Sequence, residues 1–285
     1  MRHGLEEALA HPGVEELHTM PPARLLDVAS TDLEPGHLLV GPHLEWATLL
    51  GRRTAELHLA LASDPSDPAF APEPLTGMER QAAYHGARSL LKRTFRQLRS
   101  MPDCSATVTE VTKREGEIGQ HLRVMSSMKM DVSRIRCHGD YHLGQVLWTG
   151  KDFVIIDFEG EPTRSIGHRR IKRPAFVDVA GMIRSFHYAS RTAAIRLSRD
   201  LETSVDADLS SWLTIWYRWV SGTFLASYLQ EAKGAPFLGT DEQLGALLDF
   251  YLLEKAIFEL GYEANARPEW VDIPAEGVLD ILGER

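Results

Sequence analysis

His138-Gly139-Asp140-Tyr141-His142-Leu143-Gly144-Gln145, followed by Phe153-Val154-Ile155-Ile156-Asp157-Phe158-Glu159, is the stretch that decides how this chain reads. It sets two carboxylates and an amide at defined intervals: Asp140, then Gln145, then Asp157. Val146-Leu147-Trp148 and Phe153-Val154-Ile155-Ile156 are short apolar runs around Thr149-Gly150-Lys151-Asp152. That pattern predicts a β-hairpin with strands near 146–149 and 153–157. Such a hairpin would bring Gln145, before its first strand, close to Asp157, at the end of its second.

The spacing is that of the catalytic and metal loops of phosphoryl-transfer enzymes, H-R-D, four residues, Asn, and then D-F-G. Here Gln145 replaces the Asn, and the second motif is D-F-E. The reaction needs a carboxylate to orient the attacking hydroxyl and take its proton, which suits Asp140. It also needs oxygen ligands for Mg2+ on the phosphates of ATP, which suits Gln145 and Asp157. A lone H-G-D would fit a buried hairpin with ordinary turn carboxylates, but the combined pattern points to a kinase. His138 and His142 also have the i, i+4 spacing of a zinc pair on a helix, as in a metal-dependent phosphohydrolase. Gly139 and Gly144 oppose a helix there, and the H-E-x-x-H glutamate is absent. His138 therefore reads as a loop-ordering residue.

Working outward, the 285 residues suffice for one large domain or two subdomains. The balance of 44% hydrophobic and 25% charged residues is that of an ordinary globular protein. A net charge of −9 opposes general nucleic-acid binding. Two cysteines, Cys104 and Cys137, are too few for a disulfide framework and suggest a reducing, cytoplasmic setting. Neither an N-terminal apolar signal region nor a membrane-length apolar run is visible, so no membrane association is expected.

There is no internal repeat. Residues 1–18 read as one helix followed by a Pro-containing linker, and Ser63 to Pro74 as a Pro/Asp-rich connector. Helices are expected near 44–62, 76–100, 106–129, 177–194, 208–232 and 241–264, with a strand near 134–138. Thr76 and Glu79 have the spacing of a capping box. The fold class is therefore α+β, mainly helical, with a small hairpin that carries the metal site. Arg164, Arg169, Arg170, Lys172 and Arg173 make a basic run beside His168. It can screen phosphate or hold the metal loop, or serve as a solvated surface loop; both readings stay open. Trp212, Trp216, Tyr217, Trp219, Phe224 and Tyr228 crowd one helix. Their helical spacing favours core packing over stacking on a disaccharide.

The segment HGDYHLGQVLWTGKDFVIIDFEGEP resembles the maltokinases, sugar kinases related to the aminoglycoside phosphotransferases. GRRTAELHLALAS from Gly51, DVAGMIRSFHYA from Asp178 and YLLEKAIFELGYEANARPEWVDIP from Tyr251 extend the likeness from about residue 40 almost to the C-terminus. D-F-E-G-E-P is much more specific to this group than H-G-D. The resemblance implies ATP-dependent phosphorylation of maltose to maltose 1-phosphate, in α-glucan and trehalose metabolism, with trehalose synthase as a possible partner. A related glucosamine kinase branch shares much of the pattern, so the reaction is better marked than the sugar.

The resemblance also implies that Asp178 braces the catalytic loop, although a helix N-cap or first-turn acid would equally favour Asp there. It places the sugar site in the C-terminal helical region, with Glu254, Lys255, Glu259, Tyr262 and Glu263 as candidates, and His142 of the catalytic loop is a further substrate-binding candidate. Glu254 and Lys255 also fit an exposed helical pair. Complete family members carry an N-terminal lobe that supplies the adenine hinge and phosphate contacts. Residues 1–40 show neither a Gly-rich loop nor a V-A-I-K-like strand. The expectation is a remnant of the lobe junction over 1–43, a kinase-like C-lobe over 44–285, and weak ATP binding with negligible kinase activity by the chain alone. The rival to an enzyme is a non-catalytic scaffold that docks a partner through the face a missing lobe would leave.

Overall fold

The computed structural model describes residues 40–200 and 207–283, together with Leu25; side chains at 197–200 and 207–211 are outside the description. The helix expected over residues 1–18 and, apart from Leu25, the linker after it lie outside the described residues. Helices dominate: α1 (Pro42–Leu61), α2 (Gly77–Leu98), α3 (Ala106–Lys113), α4 (Glu115–Leu122), α5 (Val124–Ser127), α6 (Ile166–Arg169), α7 (Phe176–Asp200), α8 (Ala207–Glu231), α9 (Asp241–Ala266) and α10 (Asp272–Ile281). Two antiparallel two-stranded sheets accompany them: β1 (Glu73–Pro74) with β2 (Ser133–Arg134), and β3 (Val146–Trp148) with β4 (Phe153–Ile155). The chain divides into two compact units. One takes the described residues within 1–57, 143–156 and 185–233; the other takes those within 58–142, 157–184 and 234–285.

The first unit holds the predicted hairpin. Val146 pairs with Ile155 and Trp148 with Phe153. Gly150, at φ +95°, makes the turn, and the Thr149 amide donates to the Asp152 carbonyl (2.9 Å). The hairpin leans on α1: Arg53 grips Asp152 with two hydrogen bonds (2.8 and 2.9 Å), and Trp46 meets Trp148 (centroids 6.1 Å apart). Helices α1 and α8 touch backbone to backbone. A Cβ at Gly51 would lie 2.3 Å from the Phe224 carbonyl oxygen, so only glycine fits this crossing. Trp212, Trp219, Phe224 and Tyr228 are buried, which settles most of the aromatic helix as core. Trp216 instead packs edge-on against His43.

The second unit is built on α9. This helix is apolar almost all round, with Leu247, Phe250, Leu253, Ala256, Ile257 and Leu260 all buried, as a central helix must be. Thr240 and Gln243 form its capping box, and Thr76 with Glu79 forms the one predicted for α2. Around α9 stand α2, α4, α5 and α10. The single helix expected over 106–129 is three short ones. The chain bends at Arg114, where φ −94° and ψ +16° leave the helical region, and each piece turns its own apolar residues inward: Val108 and Val111, Ile118 and Leu122, Met125. The strand expected over 134–138 shrinks to Ser133–Arg134 with a bridge from Ile135 to Arg173. β1 and α10 had no counterpart in the sequence reading.

Candidate functional site

The loop from His138 to Tyr141 is held from behind by α7. Asp178, in the first turn of α7, is wholly buried. Its carboxylate accepts the His138 amide (2.6 Å), the Gly139 amide (2.9 Å) and a contact from His58 Nε2 (3.1 Å). Burial by itself would raise this carboxyl's pKa. The His58 hydrogen bond, the His58 charge and the Gly139 amide outweigh it and hold the group below the ordinary carboxylate range. One turn along α7, a Cβ at Gly181 would meet the Tyr141 carbonyl oxygen at 2.6 Å, so helix and loop backbones touch directly. Gly139 takes φ +86°, a left-handed conformation open to glycine. A Cβ there would lie 3.5 Å from the Gly160 Cα.

The loop delivers Asp140 into a cleft. Gly139, Asp140, Tyr141, Glu161, Arg164, Arg173, Asp178, Tyr251, Glu254, Lys255 and Phe258 are among its walls. Lys255 Nζ lies 3.8 Å from one Asp140 oxygen and His142 Nε2 3.8 Å from the other. Burial holds the His142 imidazole below its usual value, against the opposing pull of Asp140. Arg173 pairs with Glu254 (3.0 Å). Burial pushes the Tyr251 phenol upward, so it enters the cleft as a neutral hydroxyl. The result is a pocket whose lining mixes apolar side chains with carboxylates and cations that can hydrogen-bond to a hydroxyl-rich ligand.

The sequence-derived candidates divide between this cleft and other places. Asp140, Asp178, Glu254 and Lys255 share it. His138 is buried behind the loop against Tyr141 and Phe158 (5.4 and 5.0 Å), and its Nδ1 faces the Asp140 amide (3.4 Å). That engagement fits loop ordering and leaves the zinc-pair reading without support. Among the described residues no group of three or more His, Cys, Asp or Glu side chains is arranged to hold a metal ion. Glu259 does not line the cleft; it is tied to buried Arg184 (2.8 Å). Tyr262 is half exposed on another face beside Arg267, which also pairs with Glu263 (2.6 Å).

Gln145 ends a 3-10 turn (Leu143–Gln145) that opens the hairpin in the first unit. The Ile156 amide donates to the Gln145 carbonyl (3.0 Å), and Asp157 is the next residue. Asp157 belongs to the second unit, is exposed, and takes φ +64°. Among the described residues nothing donates a hydrogen bond to its carboxylate or engages the Gln145 side chain. An amide oxygen and a carboxylate, both uncommitted, are hard donors of the kind Mg2+ takes.

Sequence reasoning missed His58 and the Arg173–Glu254 pair. The family-like run GRRTAELHLALAS contains His58, but nothing in its composition marks that one ring as the partner of Asp178. The basic run resolves residue by residue. Arg164 and Arg173 face the cleft, Arg169 binds the Pro162 and Arg164 carbonyls, and Lys172 is capped by Glu73 and the Pro68 and Ala71 carbonyls.

A family model described as "Phosphotransferase enzyme family" matches residues 26–160, somewhat under half of the chain. The chain is 26% identical over 255 residues to a glucosamine kinase of Streptacidiphilus jiangxiensis, covering 89% of this chain and 53% of that protein. Crystal form A of a glucosamine kinase superposes with a TM-score of 0.70 at 25% identity, covering 93% of this chain and 60% of the other. A glucosamine kinase in complex with glucosamine, ADP and inorganic phosphate superposes at 0.69 with 24% identity, over 96% and 61% of the two chains. The chain thus spans a little over half the length of these relatives. No helix among the described residues is long and apolar enough to cross a membrane.

Proposed function

We propose that this chain carries the acceptor side of an ATP-dependent sugar kinase, with an aminosugar of the glucosamine class as the acceptor. The observation that carries this reading is Asp140 in a cleft, on a loop whose amides are tied to buried Asp178. A general base must be held where the reacting hydroxyl sits, and a loop fixed by backbone hydrogen bonds does that. Maltose, which the sequence resemblance favoured, yields to glucosamine because the relatives matched here are glucosamine kinases.

In this reading Asp140 orients the sugar hydroxyl and accepts its proton. Lys255 and the Arg173–Glu254 pair, on α9 and the strand-like bridge beside it, offer donors and acceptors to the remaining hydroxyl and amino groups. Gln145 and Asp157 each offer an oxygen of the kind Mg2+ takes, and the ion, when bound, would neutralise charge on the phosphates of ATP.

Two readouts test the proposal. Calorimetric titration of glucosamine and of maltose into the protein reads the acceptor site directly. ADP release with ATP, Mg2+ and each sugar, from the chain joined to the N-terminal lobe of a glucosamine kinase relative, reads the reaction, and Asp140→Asn should abolish most of it. Glucosamine binding that is lost in Glu254→Gln, with glucosamine-dependent ADP release, is the expected result. Binding and turnover with maltose but not glucosamine would return the acceptor to the disaccharide. Binding of neither sugar would remove the acceptor-site assignment altogether.

A further inference from the structure

A second cavity in the same unit is separate in character from the cleft. It is an open groove of about 870 Å3, lined by Pro68, Ala69, Glu73, Arg134, Arg136, Cys137, Phe158, Glu159, Ile166, Arg169, Arg170, Ile171 and Lys172. That is at the upper end of the range for small-ligand pockets, about 300–1,000 Å3. Five of its lining residues are cationic and two are anionic, on a chain whose net charge is −9.

Three of the five cations have local work. Arg134 pairs with Glu73 and Glu79 (2.5 Å each), Lys172 is enclosed by Glu73 and two carbonyls, and Arg169 ties its own loop together. Arg136 and Arg170 are left. Both are exposed, and no carboxylate among the described residues pairs with either; Arg136 lies over the Phe70 ring (5.8 Å). Between the cations stand apolar side chains open to solvent: Phe158 is 47% exposed, Ile166 68% and Ile171 50%. Cys137 adds no chemistry, because burial pushes its thiol up and Sγ faces the Arg173 carbonyl (3.4 Å).

We infer that this groove is a docking site for an acidic, amphipathic peptide segment of a partner protein. Guanidinium groups pair with carboxylates in a planar, two-point geometry, and arginine is favoured at such interfaces. The exposed apolar residues would accept the hydrophobic side chains between the acids. A single phosphate or small anion would meet the charges yet leave the length of the groove and its apolar residues uncovered. General nucleic-acid binding is opposed by the charge of the chain as a whole. The occupant would touch Phe158, whose ring rests on His138 behind the loop that carries Asp140.

The test uses a fluorescein-labelled twelve-residue peptide alternating Glu or Asp with Leu and Phe, followed by fluorescence anisotropy. Its controls are a Gln/Asn analogue with the same apolar residues, an oligo-glutamate of equal length, and inorganic phosphate as competitor. The proposal expects saturable binding of the acidic amphipathic peptide that weakens with salt. It also expects a loss of about tenfold or more in the double variant Arg136→Glu, Arg170→Glu, because reversing charges at an electrostatic interface replaces attraction with repulsion. Ile166→Ser with Ile171→Ser should weaken binding by a smaller factor. Circular dichroism and melting of both variants verify the fold; if the charge reversal unfolds the chain, Arg136→Gln with Arg170→Gln replaces it. Undetectable binding, equal binding of the neutral analogue, unchanged affinity in the charge variants, or full displacement by millimolar phosphate would each overturn the proposal.

Discussion

The loop that presents Asp140 and the hairpin that begins at Gln145 are close in sequence, yet they are held in place by opposite means. The loop hangs on a buried carboxylate: Asp178 accepts two backbone amides and a histidine where water is excluded. The hairpin is held at the surface by the Arg53–Asp152 pair and by Trp46 against Trp148, with Leu147, Trp148 and Val154 about half exposed. Burial decides what each contact is worth. An ion pair in water contributes little, whereas a buried charge left without its partners is strongly destabilising. The loop is therefore fixed sharply and at high risk from mutation, and the hairpin loosely and at low risk.

Removing Asp178 should produce the largest effect. Asp178→Ala strands two loop amides and His58, and urea unfolding should show a loss of about 3–5 kcal/mol. A loss no larger than for a surface residue would break the contrast between the regions. The pH dependence follows from the depressed pKa of Asp178. A carboxyl whose folded value lies below its unfolded value, about 4, contributes stability that is complete above that value. The contribution is lost as pH falls from there through the folded value. Wild-type stability should thus drop on acidification below about pH 4, and Asp178→Asn should flatten that part of the curve.

Next in size is the catalytic test. In the chain joined to the N-terminal lobe of a relative, Asp140→Asn should lower kcat for glucosamine phosphorylation about a hundredfold or more, the low end for removing a general base, which corresponds to about 2.7 kcal/mol. Undiminished turnover would reject the base role. Gly181→Ala comes third. Its methyl would press on the Tyr141 carbonyl, and overpacking of this kind costs about 1–3 kcal/mol. It should also reduce kcat without a matching change in stability elsewhere, because the backbone that yields is the one carrying Asp140. The smallest effect belongs to the hairpin clamp. Asp152→Ala should shift the melting temperature little, and any shift should vanish at high salt. A large, salt-resistant shift would mean that the hairpin is anchored as firmly as the loop.

Periodicity and local chemistry made the long helices, both strands of the hairpin and the Thr76–Glu79 box readable from sequence, since each is encoded within a few residues. The short pieces were less legible. Nothing in the polar run 106–129 says that the helix bends at Arg114, because the bend serves the separate inward faces of Val108, Ile118 and Met125. The pairing of Glu73–Pro74 with Ser133–Arg134 joins a segment that reads as a linker to one some sixty residues away. In the cleft, the motif singled out Asp140, and the family likeness pointed to Asp178, Glu254 and Lys255. His58 and Arg173 were invisible as partners because their roles arise only when α1, α7 and α9 are folded together. The same limit explains Glu259 and Tyr262: consecutive turns of α9 look alike in sequence, but one faces Arg184 in the interior and the other faces solvent.

Asp157 is the one described non-glycine residue with a positive φ, at +64°. Left-handed backbone is tolerated by Asp and Asn better than by other side chains with a Cβ. The residue is thus suited to its position twice over, once by its carboxylate and once by its backbone. Replacement by alanine would confound the two, removing a charge and straining the turn in a single step. Asparagine keeps the turn and removes the charge; glycine relaxes the turn and removes both charge and side chain. Comparing Asp157→Asn with Asp157→Gly therefore separates what the side chain contributes from what the shape of the chain contributes, which a conventional alanine scan would report as one number.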